Sequence, residues 1–348
     1  MHYRVKAYKM REETDMNLYQ EGDFMRLAIL GTGKIVKEVL ATLKDVEEVE
    51  LKAIWAREHS REKAVDLAKK YDIASVSTDY EELLACGDID TVYVGLINSV
   101  HDAYARQALL AGKHVILEKP FCPTEKEAAE LIALAKAKHL FLFDAVSFLY
   151  MPNFRFLQQH LKDIGKVKLV QANYSQYSSR YDAYRQGEVL PAFDPAAYGG
   201  ALYDINFYNI ALVTALFGAP EDFHYLPNRG FNGVDTSGIL NMRYPDFAAV
   251  CIGAKDSESP CFCIVQGEDG YLKVEGAPSR MPKVTLQRHG GEPTTVNENG
   301  PLPRLAHEFK AFAKMLKEHD YDKNVRKLEI TRNVIHILET SRRAMMQS

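Results

Sequence analysis

Three polar residues of this chain have types and spacings that could serve proton transfer and substrate binding. Lys119 follows the apolar stretch His114–Glu118 and precedes Pro120, which keeps it out of helical geometry. Asp204 and Tyr208 lie four residues apart, so a helix would place a carboxylate and a phenol on one face. Each has a simpler interpretation: a surface lysine, a helix N-cap, and an aromatic residue of the core.

A glycine turn near the start of the chain predicts a dinucleotide site. Gly31-Thr32-Gly33 follows the apolar stretch Arg26–Leu30 and opens a predicted helix, Ile35–Leu43. In the pattern G-x-G-x-x-G/A, the first glycine makes the turn and the second lets the backbone approach a pyrophosphate at the helix N-terminus. The third position here is Val36, which departs from that pattern. No Gly-Lys-Ser/Thr follows at the spacing of a Walker A loop.

The residues after the second predicted strand favour NADP over NAD. Enzymes that bind NAD usually place an acidic residue there to accept hydrogen bonds from the ribose. This chain has Ala56 and then Arg57, with Ser60 and Arg61 nearby. A guanidinium can pair with a 2′-phosphate and stack on adenine, so Arg57 predicts NADP. The alternative is that Arg57 is only solvated.

The first part of the chain must position these groups, and it alternates strands with helices. Alternation of this kind indicates a parallel sheet with helices on both faces, in which ligands bind beyond the carboxyl ends of the strands. Lys119 and the glycine turn would therefore share one edge. A capping box at Thr124 and Glu127 predicts the start of a helix. The predicted strands are Arg26–Leu30, Leu51–Trp55, Thr91–Leu96, His114–Glu118 and Leu140–Phe143.

The second part of the chain predicts a different architecture. A long strand, Lys166–Ser175, precedes the apolar helix Ile205–Phe217, and short strands follow between residues 238 and 287. Close spacing of this kind indicates an open, mostly antiparallel sheet. Two helices, Arg304–Glu318 and Asn324–Met345, close the chain. The predicted class is α/β: a Rossmann domain at 25–147 with a doubly wound parallel sheet, then an α+β domain at 148–348.

Other features bound the function. Residues 1–24 show no apolar period, and we interpret them as a translated leader before a natural start at Met25, or as an N-terminal arm. A net charge of −4 gives no case for nucleic acid. Five cysteines without a pairing pattern favour free thiols in a reducing cytoplasm, and no spacing predicts a metal site. No apolar run has the length of a membrane span.

The motifs together resemble those of the glucose–fructose oxidoreductase / inositol dehydrogenase / MocA (Gfo/Idh/MocA) family, and most of all its dihydrodiol dehydrogenase-like branch. The resemblance rests on GTGKIV (31–36), INSVH (97–101), AGKHVILEKP (111–120), GGALYDINFY (199–208) and GVDTSGIL (233–240). It implies that Lys119 lies beside the nicotinamide and that the following proline is often cis. It also implies that Asp204 binds substrate and that Tyr208 replaces a histidine acid/base. We expect Lys119 to polarise the substrate oxygen and to favour the phenolate of Tyr208, the proton carrier.

The predicted binding residues follow from the turn, the strand ends and the resemblance. Ile97 stands where the family has proline, and Leu149 where the dihydrodiol branch often has arginine. The loop 174–184 is rich in Tyr and Ser, which suits a sugar or polyol, whereas its arginine suits a carboxylate or phosphate; the alternative is a solvated loop. The expected cofactor-binding residues are Gly31, Thr32, Gly33, Lys34, Ile35, Trp55, Ala56, Arg57, Leu96, Asn98, His101, Glu118 and Lys119. The expected substrate-binding residues are Lys119, Arg180, Tyr181, Asp204 and Tyr208.

The sequence therefore predicts a cytoplasmic oxidoreductase that uses NADP, or NAD, to interconvert a hydroxyl and a carbonyl on a sugar, polyol, inositol or cyclic diol. We expect a homodimer or homotetramer formed through the C-terminal sheet, because an open apolar sheet face needs cover. Two alternatives remain. One is an NAD-dependent glycosidase of the same family, and the other is a non-catalytic regulator that senses dinucleotides.

Overall fold

The first of two sheets is parallel and carries helices on both faces. The computed structural model describes residues 24–347, so the predicted leader or arm lies outside the described residues except for Phe24. The strand order is β3-β2-β1-β4-β5-β6. The strands are β1 (Met25–Leu30), β2 (Val49–Trp55), β3 (Ser75–Ser77), β4 (Thr91–Val94), β5 (His114–Glu118) and β6 (Leu142–Ala145). The helices are α1 (Lys34–Leu43), α2 (Arg61–Tyr71), α3 (Tyr80–Ala85), α4 (His101–Leu110) and α5 (Glu125–Ala137).

The apolar strands of this sheet were predictable because both of their faces are covered. All five residues of β5 and all four of β4 are buried. The capping box is confirmed, since the Thr124 side chain accepts from the Glu127 backbone and Glu127 accepts from the Thr124 backbone. The short strand β3 was missed because its sequence, Ser-Val-Ser, is polar and lies at the sheet edge.

The second sheet has eight strands in the order β14-β13-β12-β11-β7-β10-β9-β8, and only the β7–β10 pair is parallel. The predicted fold class is thus confirmed for both parts. The edge strands β8 and β14 were missed, since each is polar and largely exposed. The strands are β7 (Val167–Ser175), β8 (Asp222–Arg229), β9 (Asp235–Arg243), β10 (Ala248–Ala254), β11 (Phe262–Gly267), β12 (Gly270–Glu275), β13 (Lys283–Arg288) and β14 (Thr294–Val296). The helices after residue 150 are α6 (Pro152–His160), α7 (Tyr181–Arg185), α8 (Phe207–Phe217), α9 (Arg304–Lys317) and α10 (Tyr321–Gln347).

The two closing helices connect the second part of the chain to the first sheet. Helix α9 packs beside α1, and its Phe309 and Phe312 share a core with Leu27, Ile29 and Phe143. Helix α10 contacts α5 and β6 on one side and α8 and β8 on the other. The segment 148–348 therefore supplies part of the core of the first sheet.

Two kinds of feature are absent from the described residues. None of the helices in residues 24–347 combines the length and apolarity needed to cross a membrane. In the same range, no group of three or more His, Cys, Asp or Glu side chains is arranged to hold a metal ion. The five cysteines are all free thiols.

Candidate active site

The glycine turn forms a cradle at the N-terminus of α1. Gly31 has φ +107°, and a Cβ there would lie 2.7 Å from the Gly95 carbonyl oxygen, so only glycine fits. Gly33 caps α1, and no side chain bonds to the first backbone N–H groups of the helix. A Cβ on Gly33 would meet nothing within 4 Å. The helix N-terminus thus faces an open cleft of about 420 Å³, which suits the pyrophosphate of a dinucleotide.

Val36, which departs from the sequence pattern, is accommodated by a glycine on the neighbouring strand end. A Cβ on Gly95 would lie 2.8 Å from Cγ2 of Val36 and 2.7 Å from the Tyr93 ring. Gly95 follows β4, and its N–H bonds to the Leu30 carbonyl. The G-x-G-x-x-G/A pattern has a small residue at the position of Val36. Here the small residue is instead Gly95, on the other side of the contact between α1 and the end of β4, and sequence reasoning missed it.

The dinucleotide cleft gathers most of the predicted cofactor residues. Its walls include Trp55, Ala56, Arg57, Ser60 and Leu96, besides the turn itself. The Arg57 side chain is exposed, and within residues 24–347 its guanidinium has no ion pair. A guanidinium that is free at the end of β2 is placed to meet an anionic group on the ribose.

Lys119 meets Asp204 and Tyr208 at the carboxyl end of β5. Its Nζ lies 3.6 Å from Oδ1 of Asp204, donates to the Asp204 carbonyl at 3.3 Å, and sits 4.9 Å from the centre of the Tyr208 ring. The lysine side chain is only 18% exposed, which excludes the surface interpretation. The Lys119–Pro120 peptide bond is cis. All three residues line a cleft of about 400 Å³ that shares Lys34, Ile35 and Leu96 with the dinucleotide cleft.

A π-helical turn, Leu202–Asn206, leads into α8 and holds Asp204. Its side chain makes no N-cap bond and instead bonds to lysines, so the N-cap interpretation is wrong. The predicted helix start at Ile205 was also late, because the helical turn begins with Leu202. The wider turn lets the carboxylate and the Tyr208 ring face one cleft, as π-turns often do at functional sites.

Burial and charge set the protonation of these groups. Burial acts to lower the pKa of Lys119, but the facing Tyr208, Asp204 and Glu118 raise it above its ordinary value, so it stays an ammonium. Burial acts to raise the pKa of Asp204, yet Lys255 and Lys119 lower it to about 2. For Tyr208, burial outweighs the lowering effect of Lys119 and Arg304 and raises the pKa. Lys119 thus acts in the expected direction, towards the phenolate, but burial outweighs it and favours the phenol.

Two cationic residues of the cleft were missed by sequence reasoning. Lys255 directly follows β10, and its Nζ lies 2.8 Å from Oδ2 of Asp204. Arg304 begins α9 and bonds to Glu38 of α1 at 3.0 Å and to Ser147 at 3.1 Å. Neither residue belongs to a sequence motif. The only signal in the sequence was the negative charge of Asp204, which needs a cationic partner when it is in a cleft.

His101 and Glu118 make hydrogen bonds that hold the segments around Lys119 in place. The His101 ring is buried and lies 3.1 Å from the Pro120 carbonyl and 3.2 Å from the Leu96 carbonyl, outside the walls of the clefts. It therefore ties the loop after β4 to the loop after β5. Glu118 accepts from the Tyr93 hydroxyl at 2.7 Å and from the Lys119 backbone at 3.1 Å, and burial raises its pKa.

The polar loop after β7 contributes unevenly. Arg180 and Asn98 line the cleft that holds Lys119, Asp204 and Tyr208, which we call the catalytic cleft. They also line an adjoining cleft of about 370 Å³. Tyr181 lines neither, because its ring packs against Phe193 and Tyr184. The predicted substrate residues thus separate into four that face the clefts and Tyr181, which braces the loop.

Comparison with protein families gives matches over most of the chain. Residues 25–145 match the model described as "Oxidoreductase family, NAD-binding Rossmann fold". Residues 157–273 match the model described as "GFO/IDH/MocA C-terminal domain".

Known proteins give the same picture. The chain is 35% identical over 321 residues to scyllo-inositol 2-dehydrogenase (NADP(+)) IolU of Bacillus subtilis, covering 92% of this chain and 97% of that protein. It is 30% identical to trans-1,2-dihydrobenzene-1,2-diol dehydrogenase of Xenopus tropicalis, covering 71% and 80%. Among solved structures, the 3-ketoreductase KijD10 of Actinomadura kijaniata with NADP and TDP-benzene shares the fold, with a TM-score of 0.77, 23% identity, and coverage of 90% and 96%.

Proposed function

Because the chain belongs to the Gfo/Idh/MocA family of oxidoreductases, we propose that it interconverts a hydroxyl and a carbonyl on an inositol, a related polyol or a cyclic diol, with NADP. One observation carries this proposal: Lys119, Asp204 and Tyr208 meet in a cleft that adjoins the glycine turn. The named activities of the inositol and dihydrodiol dehydrogenases support the substrate class.

The protonation states support a division of labour. The Lys119 ammonium donates a hydrogen bond to the substrate oxygen and stabilises negative charge there. The Tyr208 phenol gives its proton to that oxygen during reduction and takes it back during oxidation. Asp204, held as a carboxylate, accepts hydrogen bonds from a neighbouring substrate hydroxyl. The bound cofactor would supply the hydride as NADPH during reduction and accept it as NADP during oxidation.

The proposed preference for NADP rests on Arg57. The residues 25–147 would hold the dinucleotide, and residues 148–348 would supply Asp204 and Tyr208. Asn98 at the mouth of the catalytic cleft and the loops tied by His101 would border the nicotinamide ribose. Arg180 would contact the substrate from the rim.

Turnover of NADPH and NADP, followed by absorbance, tests the activity on inositols, sugars, cyclic diols and the corresponding ketones in both directions. Lys119→Ala and Tyr208→Phe should each lower kcat by about 10²–10⁴-fold, because each removes a group that acts on the substrate oxygen. Lys113→Ala and Tyr244→Phe are matched controls, since each side chain donates to backbone carbonyls and neither lines the cleft that holds Lys119. Near-normal turnover by either catalytic variant contradicts the mechanism.

The same assay separates the alternatives. Release of free sugar from a glycoside with no net change in the cofactor would support a glycosidase. Tight dinucleotide binding with no turnover of any compound would support a regulator. The presence of Lys119, Asp204 and Tyr208 in one cleft favours the oxidoreductase.

We also propose that the chain assembles through the uncovered face of the second sheet. Leu226, Ile239 and Tyr271 project from that sheet and are exposed by 52%, 40% and 37%. Leu226 and Ile239 are paired on the neighbouring strands β8 and β9, and Tyr271 lies further along the same sheet on β12. Exposed apolar residues on one sheet are typical of a surface that a second copy covers. The five free thiols suit the reducing cytoplasm that we propose as its compartment.

A further inference from the structure

Lys255 connects three parts of the substrate side of the cleft. Its ammonium lies 2.8 Å from Oδ2 of Asp204 and donates to the Ala192 carbonyl at 2.6 Å. Its own carbonyl accepts the Ser178 N–H at 2.9 Å. The π-turn, the loop that contains Ala192 and the loop that contains Ser178 and Arg180 are therefore all tied to one residue.

The surroundings of Lys255 stabilise the positive charge of its ammonium group. The side chain is 3% exposed, and its ammonium lies 4.6 Å from the centre of the Phe193 ring. A lysine this buried requires a carboxylate partner, and Asp204 provides one. The Asp204 carboxylate in turn lies between two ammonium groups, with Lys255 at 2.8 Å and Lys119 at 3.6 Å.

The difference between these two distances affects how far Asp204 neutralises the charge of Lys119. One carboxylate faces two cations, so the cluster keeps a net positive charge. Because Asp204 is closer to Lys255, its charge only partly neutralises Lys119. We propose that Lys255 is a positioning residue, which draws the Asp204 carboxylate towards the second sheet and so leaves the Lys119 ammonium available to the substrate oxygen.

This inference rests on the proposed oxidoreductase function, and it predicts a specific loss. In Lys255→Met, Asp204 keeps only Lys119 as a cationic partner and should move onto it. The kcat should then fall by about tenfold or more, while the Kd for NADPH stays unchanged, because the dinucleotide cleft is not touched. Lys255→Arg should recover part of kcat, since a guanidinium can also bond to Oδ2 of Asp204 and to the Ala192 carbonyl oxygen.

A double-mutant cycle tests whether Lys255 acts through Asp204. Lys255→Met should cost little further kcat in an Asp204→Asn background, because the charge that it controls is already gone. Losses that simply multiply would overturn the proposal. Lys327→Met is the matched control, since its ammonium also lies over a ring, Tyr150 at 4.4 Å, and near a carbonyl, Leu149 at 3.4 Å. Within residues 24–347 it has no carboxylate partner.

A titration that needs no turnover separates this proposal from the proposed function. Carbon-13 NMR of the aspartate carboxyls, assigned with Asp204→Asn, should show the pKa of Asp204 rising by about one unit or more in Lys255→Met. An unchanged titration would overturn the role of Lys255. A wild-type protein that turns over no compound would overturn the proposed function alone. If Lys255→Met does not fold, the titration and kcat of Lys255→Gln decide in the same way.

Discussion

At the scale of single residues, the site is a row of alternating charges that crosses from one sheet to the other. Lys119 comes from the end of β5, Asp204 from the π-turn and Lys255 from the end of β10. Tyr208 stands beside this row as an uncharged phenol, because its burial outweighs the two neighbouring cations. In the proposed mechanism, the Tyr208 phenol is the proton donor for carbonyl reduction and Lys119 stabilises the developing negative charge.

The raised pKa of Tyr208 predicts opposite pH profiles for the two directions. Reduction uses the phenol, so its rate should stay level through neutral pH and fall only as the pH rises through the raised pKa. Oxidation uses the phenolate, so its kcat/KM should rise by up to about tenfold per pH unit from pH 7 to 9. Initial rates with NADPH and with NADP check this. An oxidation profile that stays flat, or that keeps its slope in Tyr208→Phe, would disprove the assignment.

Arg57 sets a second prediction at this scale. Arg57→Ala should weaken NADPH binding by about 10-fold or more and leave NADH binding nearly unchanged, because only the 2′-phosphate pairs with the guanidinium. Fluorescence titration with both cofactors measures the two Kd values. Arg326→Ala serves as the comparison variant, because Arg326 is an exposed arginine on α10 that lines neither cleft. Equal losses for both cofactors would refute a role in selecting NADP.

At the scale of elements, strand ends and helix starts could be predicted from the sequence, but contacts across the chain could not. Lys119 was found because it follows an apolar strand and carries a motif. Lys255 follows β10 in the same way without a motif, and it meets Asp204 only after the 50 residues between them have folded into a helix and three strands. Gly95 was missed because its role depends on Val36, which lies across a contact between α1 and the end of β4.

The two glycines of the turn should respond differently to the same substitution. Gly33→Ala should leave the unfolding temperature unchanged and weaken dinucleotide binding, because its Cβ would point into the open cleft. Gly31→Ala should lower the free energy of unfolding by about 1–3 kcal/mol, since φ is positive and its Cβ would meet the Gly95 carbonyl. Thermal unfolding without cofactor and a binding titration separate the two effects. A lower unfolding temperature in Gly33→Ala would contradict the claim that Gly33 faces an open dinucleotide cleft.

At the scale of the whole molecule, α9 joins the dinucleotide cleft to the second part of the chain. Arg304 at its start bonds to Glu38 of α1, and Glu308, one turn later on α9, is fully buried. Neither carboxyl oxygen of Glu308 has a hydrogen-bond partner within the described residues. Burial, with Glu118 and Asp144 nearby, raises the pKa of Glu308 well above its ordinary value, so it is a neutral acid.

Glu308 therefore predicts how the stability of the whole fold depends on pH. A raised folded-state pKa means that the folded protein binds a proton that the unfolded chain releases above about pH 4.5. Its contribution to stability is then lost as the pH rises, by up to about 1.4 kcal/mol per unit. The unfolding temperature should fall more between pH 6 and 9 in the wild type than in Glu308→Gln, which cannot ionise. Parallel curves for the two proteins would argue against a protonated Glu308.

The packing of α9 also fixes the order in which the protein can mature during synthesis. The first sheet leaves the ribosome early, yet Leu27, Ile29 and Phe143 on one of its faces are covered by Phe309 and Phe312. Helices α1 and α2 cover part of that face early, but the part that α9 covers stays exposed until nearly the whole chain has been translated. The cleft that holds Lys119, Asp204 and Tyr208 is also lined by Arg304, so it is completed only when α9 has been made.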